Sequence, residues 1–199
     1  MTVLLALELV GTVAFAISGA CVAIEKKMDI FGVVILGMTT AVGGGIIRDL
    51  ILGITPPMAF QSPIYAIVSI IVSIIAFLPK IRGIVEIQNN FFLIFMDAIG
   101  LAAFTVVGVQ AGMVVHNIFL SIFVGVLTGV GGGVLRDLFA GNSPYIFSKR
   151  FYGCASLIGA LISAFCWPLG ETVSMLLGGV PIVILRVLAA KYRWNLPRA

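Results

Sequence analysis

The stretch Ala-Val-Gly-Gly-Gly-Ile-Ile-Arg-Asp-Leu, residues 41–50, lies inside an apolar run long enough to cross a bilayer, and it returns as Gly-Val-Gly-Gly-Gly-Val-Leu-Arg-Asp-Leu at residues 129–138. Each glycine in a helix interior costs about 1 kcal/mol against alanine. Three in a row predict an interrupted helix in both places, at Gly43, Gly44 and Gly45 and again at Gly131, Gly132 and Gly133. Irregular backbone at membrane depth must be covered by protein or line water. The pair therefore predicts a route for a solute where two broken helices meet.

The surrounding composition sets the medium. Of 199 residues, 61% are hydrophobic and 10% charged, and the mean hydropathy is +1.21. Soluble domains carry about 25% charged residues, so the chain reads as an integral membrane protein, all α-helical and a single transmembrane domain over residues 1–199. The net charge of +4 is spread as single or paired basic residues between apolar runs. That is the pattern of membrane topology, not of a nucleic-acid partner. Cys21, Cys154 and Cys166 are odd in number, lack metal-type spacing and sit in apolar segments. They read as small buried hydrophobes, with no structural metal.

Apolar runs of roughly twenty residues are needed to span a hydrocarbon core about 30 Å thick. Seven are predicted: Val3–Ile24, Ile30–Leu52, Ser62–Leu78, Phe91–Val115, Ile118–Ala140, Tyr152–Leu169 and Val173–Ala190. The polar stretch 80–90 separates the third from the fourth, and a tight turn at His116-Asn117 joins the fourth to the fifth. Assigning alternate connections to opposite sides puts Lys26, Lys27, Lys80, Arg82, Lys149, Arg150 and the tail with Lys191, Arg193 and Arg198 on one face. Cytoplasmic loops are enriched in Lys and Arg. The N-terminus is therefore expected outside and the C-terminus in the cytoplasm.

Aligning Gly43 with Gly131 keeps register without a gap from Asp29-Ile30-Phe31 against Asn117-Ile118-Phe119 to Pro56 against Pro144. Upstream, with one residue deleted, Glu8, Gly11, Phe15 and Gly19 match Asp97, Gly100, Phe104 and Gly108. The repeats cover about residues 3–79 and 91–169, three spans each, and a unit with an odd number of spans re-enters the membrane upside down. Two inverted three-helix repeats plus a seventh helix at about 173–190 are the expected architecture. Small residues also fall four apart, at Gly37, Ala41 and Gly45 and at Gly125, Gly129 and Gly133. This stripe supports a plainer reading in which the glycines only let helices pack closely.

Seven ionisable residues lie in or at the ends of the spans: Glu8, Arg48, Asp49, Asp97, Arg136, Asp137 and Arg186. An unpaired charge there costs at least about 2.5 kcal/mol. Neighbours in an intact helix point about 100° apart, so Arg48 is not expected to pair best with Asp49. The symmetry suggests pairing within each repeat, Arg48 with Glu8 and Arg136 with Asp97; the alternative is that both arginines reach the membrane interface. Thr39, Thr40, Thr128, Ser18 and Gln110 are uncharged polar groups near the glycine runs. Their hydroxyls and freed carbonyls would suit a monovalent cation, although threonine in a membrane helix also bonds its own backbone. An enzyme is not expected: the glycine run lacks the Lys-Ser/Thr ending of a phosphate loop, and there is no nucleophile, base and orienting set.

The doubled Gly-Gly-Gly-x-x-Arg-Asp motif, each copy followed by a glycine and a proline (Gly53 and Pro56, Gly141 and Pro144) and the whole by a seventh span, resembles the prokaryotic relatives of the trimeric intracellular cation (TRIC) channels. The same sequences are also grouped as a glycine-transporter-type repeat family. The resemblance implies a homotrimer in membrane lipid with one pore per subunit between the repeats. It implies potassium or sodium as permeant ions, no cofactor, and gating at the kinked second and fifth spans. By motif, the pore residues would be the six glycines with Arg48, Asp49, Arg136 and Asp137 beside them. The lysine-containing lipid motif of animal members has no match, so a prokaryotic plasma membrane is the expected location. A carrier for a small amino acid such as glycine is the alternative.

Overall fold

The computed structural model describes residues 3–79, 91–148 and 151–194. The connection at 80–90, with Lys80 and Arg82, and Lys149, Arg150 and Arg198 lie outside the described residues.

Helix α1 covers Val3–Glu25 and α2 Ile30–Ile51. A short α3 at Met58–Gln61 leads into α4, Ile64–Phe77. The second half repeats this order with α5 at Phe91–Met113, α6 at Ile118–Phe139, a short α7 at Tyr145–Ser148 and α8 at Tyr152–Phe165. A 3-10 turn at Trp167–Leu169 precedes α9, Glu171–Lys191. Among the described residues, five helices are long and apolar enough to cross a membrane: α1, α2, α5, α6 and α9. The third and sixth predicted spans are shorter than their apolar runs. Helices α4 and α8 have 14 residues each, about 21 Å at 1.5 Å per residue. Pro63 sets the start of α4, and Pro168 lies in the turn that follows α8.

The boundaries of α2 and α6 follow from matching local chemistry. Asp29 Oδ1 accepts from Gly32 N at 2.8 Å and Asn117 Oδ1 from Leu120 N at 3.0 Å, N-caps worth about 1 kcal/mol each. At the other end Gly53 (φ +73) and Gly141 (φ +69) take the left-handed conformation. Ile54 N then bonds Asp49 O and Asn142 N bonds Asp137 O, each at 2.8 Å, which is the glycine-terminated helix end. These glycines stop the helices before the prolines are reached.

The predicted interruption does not occur. Both α2 and α6 run through Gly43–Gly45 and Gly131–Gly133 as unbroken α-helix. Local propensity is outweighed by packing. A Cβ on Gly44 would strike Thr128 O, one on Gly132 would strike Thr40 O, and one on Gly131 would lie 3.2 Å from Gly44 Cα. The glycines are where the backbones of α2 and α6 cross, and the close contact recovers in dispersion what a bare backbone loses in propensity.

Helices α1, α2 and α4 pack on one another, as do α5, α6 and α8, and the two trios meet along α1–α5 and α2–α6. Helix α9 packs on α5 and α8. The small-residue stripes serve packing within each trio: Gly37 abuts Ser73 of α4 and Ala16 of α1, while Gly125 and Gly129 abut α5 at Thr105.

Candidate functional site

Each Arg-Asp pair sits in the last turn of its helix. Arg48 Nε donates to Asp49 Oδ1 at 2.8 Å and Arg136 Nε to Asp137 Oδ1 at 2.9 Å. Asp49 is therefore the nearest partner of Arg48, against the expectation from an intact helix, whereas Arg136 lies closer to Asp97 than to Asp137. Successive Cα–Cβ bonds diverge, but the arginine stem is long enough to carry its guanidinium back to the neighbouring carboxylate. The second oxygen of each aspartate ties down the next element. Asp137 Oδ2 accepts from Tyr145 N at 2.9 Å, opening α7; Asp49 Oδ2 accepts from Met58 N at 2.7 Å, opening α3. Pro57 lacks an N–H, which is why the bond falls on Met58.

In the second half these charges lie deep inside the protein. Arg136 Nη1 reaches Asp97 Oδ1 of α5 at 2.6 Å and Ser18 Oγ of α1 at 2.5 Å, and both Arg136 and Asp97 side chains are 0% exposed. Arg186 of α9 approaches Asp97 Oδ2 at 3.5 Å. Two tyrosines cover the cluster: the Arg136 guanidinium lies 5.2 Å from the Tyr145 ring centroid and that of Arg186 4.6 Å from Tyr152. The buried Tyr152 hydroxyl has no hydrogen-bond partner among the described residues and points at Gly133.

The first half is looser. Arg48 Nη1 stands 3.9 Å from Glu8 Oε1, whose side chain is 19% exposed. Tyr65 of α4 donates to Glu8 Oε2 at 2.5 Å. Around these groups lies a cleft of about 30 Å³ bordered by Thr12, Gly45, Met58 and Phe104, enough for a water or two. A Cβ on Gly45 would meet nothing within 4 Å, whereas one on Gly133 would meet the Tyr152 hydroxyl at 2.7 Å. Equivalent glycines thus face open space in one half and a tyrosine in the other. Larger grooves of about 340 and 310 Å³ run along α1, α5 and α9, but only apolar side chains and glycine line them.

Between cleft and cluster lies an apolar level. Phe15 and Phe104 are buried with ring centroids 5.3 Å apart, beside the Gly44–Gly132 crossing, where Phe15 also touches Gly132. Helix α1 passes Glu8 and Thr12 at the cleft, then Phe15, then Ser18 on Arg136; α5 passes Asp97 on Arg136 before Phe104 at the cleft. The two helices thus run through the same levels in opposite order.

Of the remaining sequence candidates, Thr40 and Thr128 are buried and donate to their own helices, at Leu36 O and Val124 O, both at 2.6 Å. Hydroxyls held in this way are not presented to a solute. Thr40→Val and Thr128→Val are expected to cost about 1 kcal/mol or less each, measured by thermal melts. Thr39 and Gln110 are half-buried, outside the charged cluster, and His116 is exposed in its turn. Sequence reasoning passed over Tyr65, Tyr145, Tyr152 and the linking role of Arg186. The Phe15–Phe104 match carried a signal, since these phenylalanines stand at matching positions of the two sequence repeats and their rings meet at 5.3 Å.

This all-helical arrangement is that of the TRIC channel fold. A solved TRIC cation channel superposes with a TM-score of 0.89 at 38% identity, covering 100% of this chain and 98% of that one. The trimeric intracellular cation channel orthologue from Rhodobacter sphaeroides does so at 0.89 and 33%, covering 98% and 100%. The membrane protein YvgT of Bacillus subtilis is 37% identical over 96% of this chain and 94% of its own length, and the inner membrane protein YadS of Escherichia coli 36% over 96% and 93%. A family model described as glycine transporter matches residues 5–80 and 94–168. The chain belongs to this family, the prokaryotic TRIC family, whose solved members are ion channels and not enzymes.

Proposed function

We propose that the protein is a homotrimeric, potassium-permeable monovalent-cation channel of a prokaryotic plasma membrane, with one pore in each protomer along the interface of the two halves. In this reading α4 and α8 are the short third and sixth of seven spans, the halves are inverted repeats, the N-terminus is outside and the C-terminus cytoplasmic. The opposite order in which α1 and α5 pass the charged cleft, the phenylalanine pair and the charged cluster carries the proposal. Inverted repeats place the solute path at the repeat interface.

Potassium or sodium enters at the cleft, where Glu8 attracts cations and Arg48 and Asp49 set the local field. The Phe15–Phe104 level and the cluster of Arg136, Asp97 and Asp137 close the route in this conformation. Gating is a displacement of side chains and of the α2–α6 crossing, with Gly43–Gly45 and Gly131–Gly133 acting as close-approach points rather than as breaks. No cofactor takes part. The description glycine transporter names a carrier, but a cleft with one excess negative charge suits a bare cation better than an amino-acid zwitterion, which brings a carboxylate along with its ammonium.

Single-channel recording from purified protein in planar bilayers decides between the two. Unitary currents reversing at the potassium equilibrium potential and unaffected by glycine are expected. Saturable glycine uptake without unitary currents would establish the carrier instead.

A further inference from the structure

The two halves differ by one charge, and the difference comes from outside the repeat. In the first half Arg48 faces two carboxylates, Glu8 and Asp49. In the second, Arg136 likewise faces Asp97 and Asp137, but α9 adds Arg186 on the far oxygen of Asp97. The first contact set keeps one uncompensated negative charge, and the second is neutral. The half with the uncompensated carboxylate holds the water-sized cleft, while in the neutral half the Tyr152 hydroxyl occupies the space that stays open beside Gly45. The correlation has a physical cause, because two carboxylates sharing one guanidinium are only partly compensated and keep water or a counter-ion beside them.

We propose that Arg186 is the positioning residue that holds the second-half constriction dry and shut, by neutralising Asp97 and pinning Tyr152 beneath its guanidinium. Helix α9, which the repeat leaves unaccounted for, then sets whether the protomer conducts. Pro181 lies inside α9 ahead of Arg186; its missing N–H leaves a carbonyl one turn back unbonded and gives the helix a place to bend. Withdrawing Arg186 would leave the second half with the same excess charge as the first. The inference rests on the channel reading above.

The test uses the full chain in liposomes, with detergent-solubilised samples checked for folding by size exclusion. Arg186→Gln is expected to raise resting potassium flux about tenfold, the change that about 1.4 kcal/mol produces. Arg186→Lys is expected to stay near the parent, and Arg186→Gln/Asp97→Asn, again neutral, to return to it. A second readout does not depend on conduction. With Cys21, Cys154 and Cys166 replaced by alanine, Ser18→Cys is expected to resist a membrane-impermeant thiol reagent in the parent and to react about tenfold faster beside Arg186→Gln.

Should Arg186→Gln not fold, Arg186→His facing Asp97 and Tyr152 is expected to be sealed at pH 5.5, where the imidazole is charged, and leaky at pH 8, where it is not. Folded Arg186→Gln with either readout unchanged overturns the proposal, as does a double variant as leaky as the single one, or a folded histidine variant whose leak ignores pH. A parent protein that passes no potassium current would defeat the channel reading instead, and Ser18→Cys reactivity would still decide whether Arg186 keeps the cluster dry.

Discussion

Gly44→Ala and Gly132→Ala are each expected to destabilise the protein by about 3 kcal/mol, the upper end of what overpacking costs, whereas Gly45→Ala is neutral or stabilising by up to about 1 kcal/mol. The three substitutions add the same methyl group to helical glycines of one motif, so propensity predicts the same gain for all. The surroundings differ. At Gly44 and Gly132 the new carbon meets a backbone carbonyl of the opposite helix, Thr128 O or Thr40 O, and a carbonyl cannot move without shifting its helix. At Gly45 it meets open space beside the cleft. Thermal unfolding in a single detergent, followed by helical ellipticity, ranks them. Equal effects at the three positions would show that the run is kept for backbone flexibility and not for the crossing.

The second large effect lies in the buried charges. Asp97→Asn removes a negative partner of Arg186 and the shorter bond of Arg136, leaving a buried surplus of positive charge in the cluster. Breaking a buried pair by removing one partner costs about 3–5 kcal/mol. Glu8→Gln, at the equivalent position, is expected to cost about 1 kcal/mol or less, since its ion pair is long at 3.9 Å and partly exposed. It also removes the excess charge of the cleft, so potassium conductance should fall while stability holds. Unfolding midpoints for the two variants, with conductance of the folded ones, check both parts. A Glu8→Gln protein as unstable as Asp97→Asn would place the two halves in equivalent environments, without the asymmetry between open cleft and buried cluster.

The residues that matter were visible in the sequence more clearly than their arrangement. Glu8, Asp97, Arg48 and Arg136 stand out because charge is rare in apolar runs, and register between the repeats is enough to pair them within each half. The misreadings share one cause. Helix interruption at the glycines and divergence of Arg48 from Asp49 were inferred from local backbone rules, and in both cases a longer-range contact outweighed them. Thr40 and Thr128 look like lining groups in sequence because nothing there shows that their hydroxyls turn back onto Leu36 and Val124.

The sequence by itself determined the medium, the number and order of apolar runs, the doubled motif and the caps at Asp29, Asn117, Gly53 and Gly141. These are all set within a few residues of chain, by hydropathy and local hydrogen bonding. Only the tertiary structure decided that α2 and α6 pass each other unbroken at their glycines, that Phe15 meets Phe104, and that Arg186 and Tyr152 close one half while Glu8 and Tyr65 border an opening in the other. Those outcomes depend on which surfaces are brought together across distant parts of the chain, and on a buried charge finding its partner there.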